Sequence, residues 1–244
     1  QSWRRSDMEE KKLILPGNFG DDEHHVDTDS RRCEFDIKNE QIVFGKIKAD
    51  IVFAGDSITH FMEENRFYNK YGFVVNRGIG GDMSKYMRMR FSADVTQLEP
   101  KLCIMLIGCN NLWPLEDEID GNTGDYTESA KAKYENELLD DLRAMLDEAK
   151  ENGYPMWLGS ILPQGAGIPN AEHRNKVIVR INERICALAK EYGTEYINYH
   201  DALTLDDGLT MREGISREGI HPNHAGYELM NEVLTPMLDK FFDK

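Results

Sequence analysis

From residue 49 onward the chain alternates short, nearly continuous apolar runs with longer stretches whose apolar positions recur every three or four residues. The runs are ADIVFAG (49–55), FVVNRG (73–78), PKLCIMLIG (100–108), YPMWLGSIL (154–162) and TEYINYH (194–200). Runs of this kind, without regular polar alternation, predict strands buried on both faces. The intervening stretches predict helices to about Tyr71, from about Asp82 to Leu98, from Tyr126 to Asn152, over 171–192, and from His224 to Phe242. Together they predict an α/β fold in which a doubly wound, five-stranded parallel sheet is covered on both faces by helices. Residues 1–48 are polar, with periodicity only around CEFDIKNEQIVFG. They are expected to wrap the sheet as loops and a short helix, leaving 49–244 as the single main domain. The acidic, glycine-dotted segment 114–129 follows the third strand and predicts a mobile loop at the carboxyl edge, where open α/β sheets bind ligands.

Composition narrows the partners. The 244 residues suit one domain, and a net charge of −15 repels nucleic acid and anionic membranes, which points to a neutral or weakly charged partner. No apolar run is long enough to span a bilayer, and QSWRRSDMEEKK lacks the core of a signal peptide. Cys33, Cys103, Cys109 and Cys186 show no metal-binding spacing and read as reduced structural thiols. Cys103 and Cys109 lie on or beside one strand, too far apart along it to bridge. The expected compartment is therefore the cytoplasm, although a chain that starts at Gln1 leaves a removed leader open.

Candidate chemistry collects at the strand ends. In IVFAGDSITHFM (51–62) a strand stops at a glycine hinge and turns helical at Ser57, which lifts one hydroxyl off the sheet edge. The plainer reading is that Asp56 or Ser57 caps the helix. NRGIGGD (76–82) follows the second strand, GCNN (108–111) the third, and EGIHPNH (218–224) precedes the last helix. Ser57 supplies a nucleophile, His221 a base, and Glu218, three residues earlier, an acid to orient the imidazole. Backbone N–H groups of Ser57, Gly80 and Gly81, with the Asn110 side chain, offer an oxyanion hole. Asn111, Trp113, Phe61 and Met62 are candidate substrate-lining residues.

Each stretch also has a structural reading. Taken alone, GIGGD reads better as a tight turn with Asp82 capping the next helix. A phosphate loop is disfavoured because Met83 replaces the third glycine and no Gly-Lys-Ser/Thr follows. HPNH lacks a third ligand nearby for zinc, and Pro222 with Asn223 suits a helix start. His24 and His25 read as solvent-exposed, and Arg88 and Arg90 as a solvated helix face. The GxSxG elbow of α/β-hydrolases is absent.

Gly55-Asp56-Ser57, Gly81, Asn110 and His221, in this order and spacing, resemble the SGNH hydrolase superfamily, the GDSL esterases and lipases, over residues of about 49 to 242. NRGIGGD, IGCNN and ILPQGAGIPNAEHRNKVIVRIN are similar to the branch holding platelet-activating-factor acetylhydrolase catalytic subunits and bacterial carbohydrate acetylesterases. The resemblance implies a flavodoxin-like three-layer α/β/α fold, no metal or cofactor, and hydrolysis of short acyl esters. It implies Ser57 as nucleophile, Gly81 and Asn110 as oxyanion donors and His221 as general base. The chain departs from the family pattern in carrying Glu218 where an aspartate is usual; Asn111 after Asn110, where the family has Asp, is a change the acetylhydrolase-like branch shares.

Three functions are therefore weighed. The first is a serine esterase removing short acyl groups, chiefly acetyl, from a small-molecule or oligosaccharide ester, with no nucleic-acid or membrane partner. The second is a lipid-type acetylhydrolase or lysophospholipase with an apolar groove at Phe61, Met62 and Trp113. The third is a non-catalytic flavodoxin-like binding module. Homo-oligomerisation is left open.

Overall fold

A computed structural model describes residues 13–16 and 26–244. Helix α1 (Val26–Phe44) precedes strand β1 (Ile51–Gly55), then α2 (Ser57–His60), α3 (Glu64–Tyr68), β2 (Val74–Gly78), α4 (Ser84–Asp94) and β3 (Leu102–Leu106). A 3-10 helix (Asn110–Asp117) leads to α5 (Glu128–Glu151), β4 (Met156–Gly159), α6 (Ala171–Tyr192), β5 (Tyr196–Ile197), α7 (Tyr199–Leu203) and α8 (His224–Phe241). The five strands form one parallel sheet in the order β2-β1-β3-β4-β5. This is the three-layer α/β/α architecture, with its switch in strand order at β1.

Strand residues alternate between two cores. Val52, Ala54, Cys103 and Met105 pack with residues of α4, α5 and α6, while Ile51, Phe53, Leu102 and Ile104 pack with Met230, Leu234 and Leu238 of α8. With apolar layers on both faces, the central strands carry no polar alternation. The register sets Gly55 opposite both Gly78 and Leu106, so β1, β2 and β3 end level and their following loops share one edge.

Three elements differ from expectation. The helix after β1 breaks at Met62 and Glu63, because Asn76 Nδ2 donates to the carbonyls of Thr59 (2.8 Å) and Met62 (3.4 Å) and takes the place of helical N–H donors. β5 shrinks to two residues because Asn198 immediately caps α7, accepting from the Asp201 N–H. The N-terminal segment contributes a helix of 19 residues rather than a short one. Its inward face carries Arg32 and Asn39, both wholly buried, and these polar residues dilute the apolar periodicity.

Segment 114–129, expected as a mobile loop, is held by the 3-10 helix and by an antiparallel bridge between Ile119 and Tyr126. His24 and His25 lie outside the described residues. Among the described residues no disulfide joins the four cysteines, and Cys103 and Cys109 are buried. Among the described residues no helix is long and apolar enough to cross a membrane.

Candidate active site

The sheet edge is built by close backbone approach. A Cβ on Gly55 would stand 2.0 Å from the Leu106 carbonyl oxygen, and one on Gly78 would stand 2.2 Å from the His60 nitrogen. Only glycine at both places lets α2 start directly on the strand ends. Asp56 caps α2 by accepting from the Ile58 N–H at 3.0 Å, and Ser57 becomes its first residue. Capping and hydroxyl presentation thus coexist in adjacent residues. Burial pushes the Asp56 carboxyl up to about 7, against the Ile58 N–H bond and with the Asp82 charge adding to the rise.

Ser57 Oγ lies 2.8 Å from His221 Nε2, across 164 residues of chain. His221 Nδ1 bonds Glu218 Oε1, and the same oxygen accepts the His221 backbone N–H at 2.9 Å. Desolvation alone would raise the Glu218 carboxyl, but the two His221 hydrogen bonds and the imidazole charge hold it below the usual range. Asp207, another acid that could have oriented His221, is taken up by the Leu209 and Thr210 N–H groups and the Thr210 hydroxyl. Asn223 caps α8, accepting from the Ala225 and Gly226 N–H groups, and thereby fixes where the His221 turn meets the helix. The Phe61 ring meets His221 edge-on, with centroids 5.3 Å apart. His224, the second histidine of HPNH, bonds Arg66 at 2.8 Å. No group of three or more metal-ligating side chains occurs among the described residues.

The donors beside Ser57 divide sharply. Gly80 N–H is spent on His60 Nδ1 at 3.1 Å, which removes it from the oxyanion set. The N–H groups of Ser57 and Gly81 carry no hydrogen bond among the described residues. Gly81 sits exposed at φ +79°. Asn110 donates through Nδ2 to the Asp82 carbonyl at 2.9 Å, and its other N–H has no partner among the described residues. Such an arrangement can take a proton from a hydroxyl and stabilise an oxyanion next to it.

Not every candidate reaches this surface. Asn111 is buried and spends its amide on Ser84, accepting from the backbone N–H at 3.0 Å and donating to Oγ at 2.8 Å. It joins the β3 loop to α4 and does not line the site. Met62 is likewise buried in the core, whereas Phe61 and Trp113 remain exposed.

Arg90, expected on a solvated face, is wholly buried. It donates to Asp82 Oδ2 (2.6 and 2.9 Å), Asp94 Oδ2 (3.0 Å), and the carbonyls of Arg77 (2.9 Å) and Gly55 (3.2 Å). Burial works against its charge, but Asp82 and Asp94 outweigh it and keep the guanidinium ionised. Asp82 is thus bound to Arg90 rather than capping α4, whose N-cap is Met83. The missed signal was spacing: Arg90 shares the inward face of Met87, Phe91 and Asp94. Arg88 does face solvent, paired with Asp141.

With this geometry in place, the model of the GDSL-like Lipase/Acylhydrolase family matches residues 53–229. The chain belongs to that family. Solved structures share the SGNH hydrolase fold of this GDSL hydrolase. A GDSL-like lipase from Bacteroides thetaiotaomicron aligns with TM-score 0.63 and 27% identity, covering 78% of this chain and 88% of that one. A Bacteroides fragilis protein assigned as an acylhydrolase aligns with TM-score 0.68 and 24% identity, covering 84% and 94%. A catalytic mutant of an acetylxylan esterase from Geobacillus stearothermophilus aligns with TM-score 0.58 and 18% identity, covering 79% and 96%. No curated protein matches the GDSL hydrolase by sequence.

Proposed function

We propose that this GDSL hydrolase is a serine esterase that removes short acyl groups, acetyl foremost, from a carbohydrate ester through an acyl-enzyme. The observation that carries the reading is the continuous Ser57–His221–Glu218 hydrogen-bond chain beside the unbonded N–H groups of Ser57, Gly81 and Asn110. Ser57 Oγ attacks the ester carbonyl carbon while His221 Nε2 takes its proton and Glu218 balances the imidazolium. The three N–H groups receive the tetrahedral oxyanion. On collapse, His221 returns the proton to the leaving alcohol oxygen and the acyl group stays on Ser57. Water, deprotonated by His221, then attacks the acyl-enzyme and releases the carboxylic acid and free Ser57.

A groove of about 480 Å³ runs beside His221 and is lined by Phe61, Phe67, Tyr227, Arg66, Arg217 and His224 among others. Aromatic faces interleaved with charged groups suit a hydroxylated ring on the leaving-alcohol side better than an alkyl chain. The lipid-type reading calls for an apolar groove at Phe61, Met62 and Trp113, and the burial of Met62 leaves only two of these at the surface. The acetylxylan esterase adds support, since its serine-to-alanine and histidine-to-alanine variants are described as catalytic mutants.

The test is acetate release from acetylated xylo-oligosaccharides and from acetyl-phospholipids, alongside hydrolysis of p-nitrophenyl acetate and butyrate. The expected result is turnover of the acetylated sugar and preference for acetate over butyrate, with Ser57→Ala losing about 10⁴-fold or more and no longer labelled by a fluorophosphonate. Preference for the phospholipid would replace the carbohydrate reading. Turnover no greater than that of Ser57→Ala would make the chain a binding module.

A further inference from the structure

An asparagine donates to an oxyanion only if its amide points the right way round; flipped, it presents an oxygen to the developing negative charge. At Asn110 two contacts decide this. The Asp82 carbonyl can only accept, and it receives Asn110 Nδ2 at 2.9 Å. The Trp113 indole N–H can only donate, and it meets Asn110 Oδ1 at 3.2 Å. Both contacts require the same orientation, and together they leave one Nδ2–H free.

The indole is itself held. The Arg174 guanidinium lies 4.1 Å from the centroid of the Trp113 ring. Arg174 is wholly buried in the first turn of α6 and bonds Glu116 through Nη2. Among the described residues its Nε and Nη1 have no hydrogen-bond partner, and the guanidinium lies against the indole face. Glu116 is fixed in turn by the Tyr126 hydroxyl at 2.5 Å and by Asn170 Nδ2 at 2.6 Å. A relay from the 3-10 helix and α6 therefore ends on the amide oxygen of Asn110.

We propose that Trp113 is a positioning residue for acyl transfer: its indole N–H fixes the Asn110 amide with the NH₂ toward the oxyanion, and Arg174, anchored on Glu116, holds the indole in place. The proposal rests on the esterase reading of the site. It gives Trp113 a different part from stacking on substrate, the role its partial exposure would suggest.

The discriminating variant is Trp113→Phe, which keeps an aromatic face for Arg174 and for substrate but lacks the N–H. With p-nitrophenyl acetate, kcat is expected to fall about tenfold, the worth of one hydrogen bond in the transition state, with KM little changed. Asn110→Ala alone is expected to lose about 10²–10³ in kcat. In that background Trp113→Phe should cost nothing further, because the amide it orients is gone. Arg174→Lys keeps a charge for Glu116 but loses the planar stack, and should show a smaller kcat loss that also vanishes with Asn110→Ala. A raised KM with unchanged kcat in Trp113→Phe would return the residue to substrate binding. Equal penalties in both backgrounds, or unchanged kcat in both single variants, would likewise overturn the proposal. Failure of the esterase reading looks different, because wild type would then turn over no faster than Ser57→Ala.

Discussion

One oxygen of Glu218 accepts both the backbone N–H and the ring of His221, so the orienting acid and the base are joined within a four-residue turn. The extra methylene relative to aspartate is absorbed by folding the side chain back on its own turn. Because those bonds hold the Glu218 carboxyl below its usual range, it stays ionised at neutral pH and can balance an imidazolium. Glu218→Gln retains a group that can accept but loses the charge. It is expected to lower kcat/KM by up to about 10⁴-fold and by less than His221→Ala, while Glu218→Asp keeps a substantial part of the activity. Wild-type kcat/KM in Glu218→Gln would remove the residue from the site. This pair was legible in the sequence because both partners sit in one short turn. Arg90 was legible only in part: spacing sets it on the face of Met87, Phe91 and Asp94, but nothing local shows that Asp82 and the carbonyls of Gly55 and Arg77 meet it there.

At the scale of elements, α2 matters more than its four residues suggest. It begins where β1 stops, and Gly78, the register partner of Gly55, lies against its last turn. A methyl at Gly78 would press on the backbone of Thr59 and His60, which have no flexible side-chain end to yield. Gly78→Ala is therefore expected to lower stability by about 1–3 kcal/mol and, by shifting α2, to reduce kcat as well. Thermal unfolding with p-nitrophenyl acetate kinetics checks this, and a variant with wild-type Tm and kcat would show that α2 is not held by this contact. The strand–helix order and the near-exact span of α6 followed from apolar periodicity, whereas the end of α2 followed from Asn76, a side chain on another strand.

Across the whole molecule, α1 is tied to the sheet by buried charge rather than by apolar packing alone. Asp94 at the end of α4 receives Arg32 and Asn39 from α1 and Arg90 from its own helix, all of them wholly buried. Arg31 of α1 also donates to the Gly78 carbonyl at 3.0 Å, at the end of β2. A line of polar contacts thus runs from α1 through Asp94 and Arg90 to the carbonyls of Gly55 and Arg77, on the strands that lead into Ser57 and Gly81. Asp94→Ala would leave buried guanidinium groups short of a counter-charge and is expected to cost about 3–5 kcal/mol. Arg88→Ala, on the exposed face of the same helix, should change stability by no more than about 0.5 kcal/mol. Chemical denaturation of both variants measures the contrast; equal, small effects would mean that the network contributes little.

The sequence by itself determined the layered α/β plan, because a strand buried on both faces and a helix packed on one leave different apolar periods. It also determined the candidate Ser57, His221, Asn110 and Gly81, because each stands beside a turn or helix start that the chain marks locally. Tertiary structure alone decided which donors are free and which are spent. Gly80 is consumed by His60, and the Asn111 amide by Ser84. It also decided which carboxylates and carbonyls meet Arg90 and that Trp113 faces the Asn110 amide oxygen. The physical reason is that hydrogen bonds are exclusive and directional: whether an N–H is available depends on which acceptor the fold brings to it, and here most of those acceptors come from elsewhere in the chain.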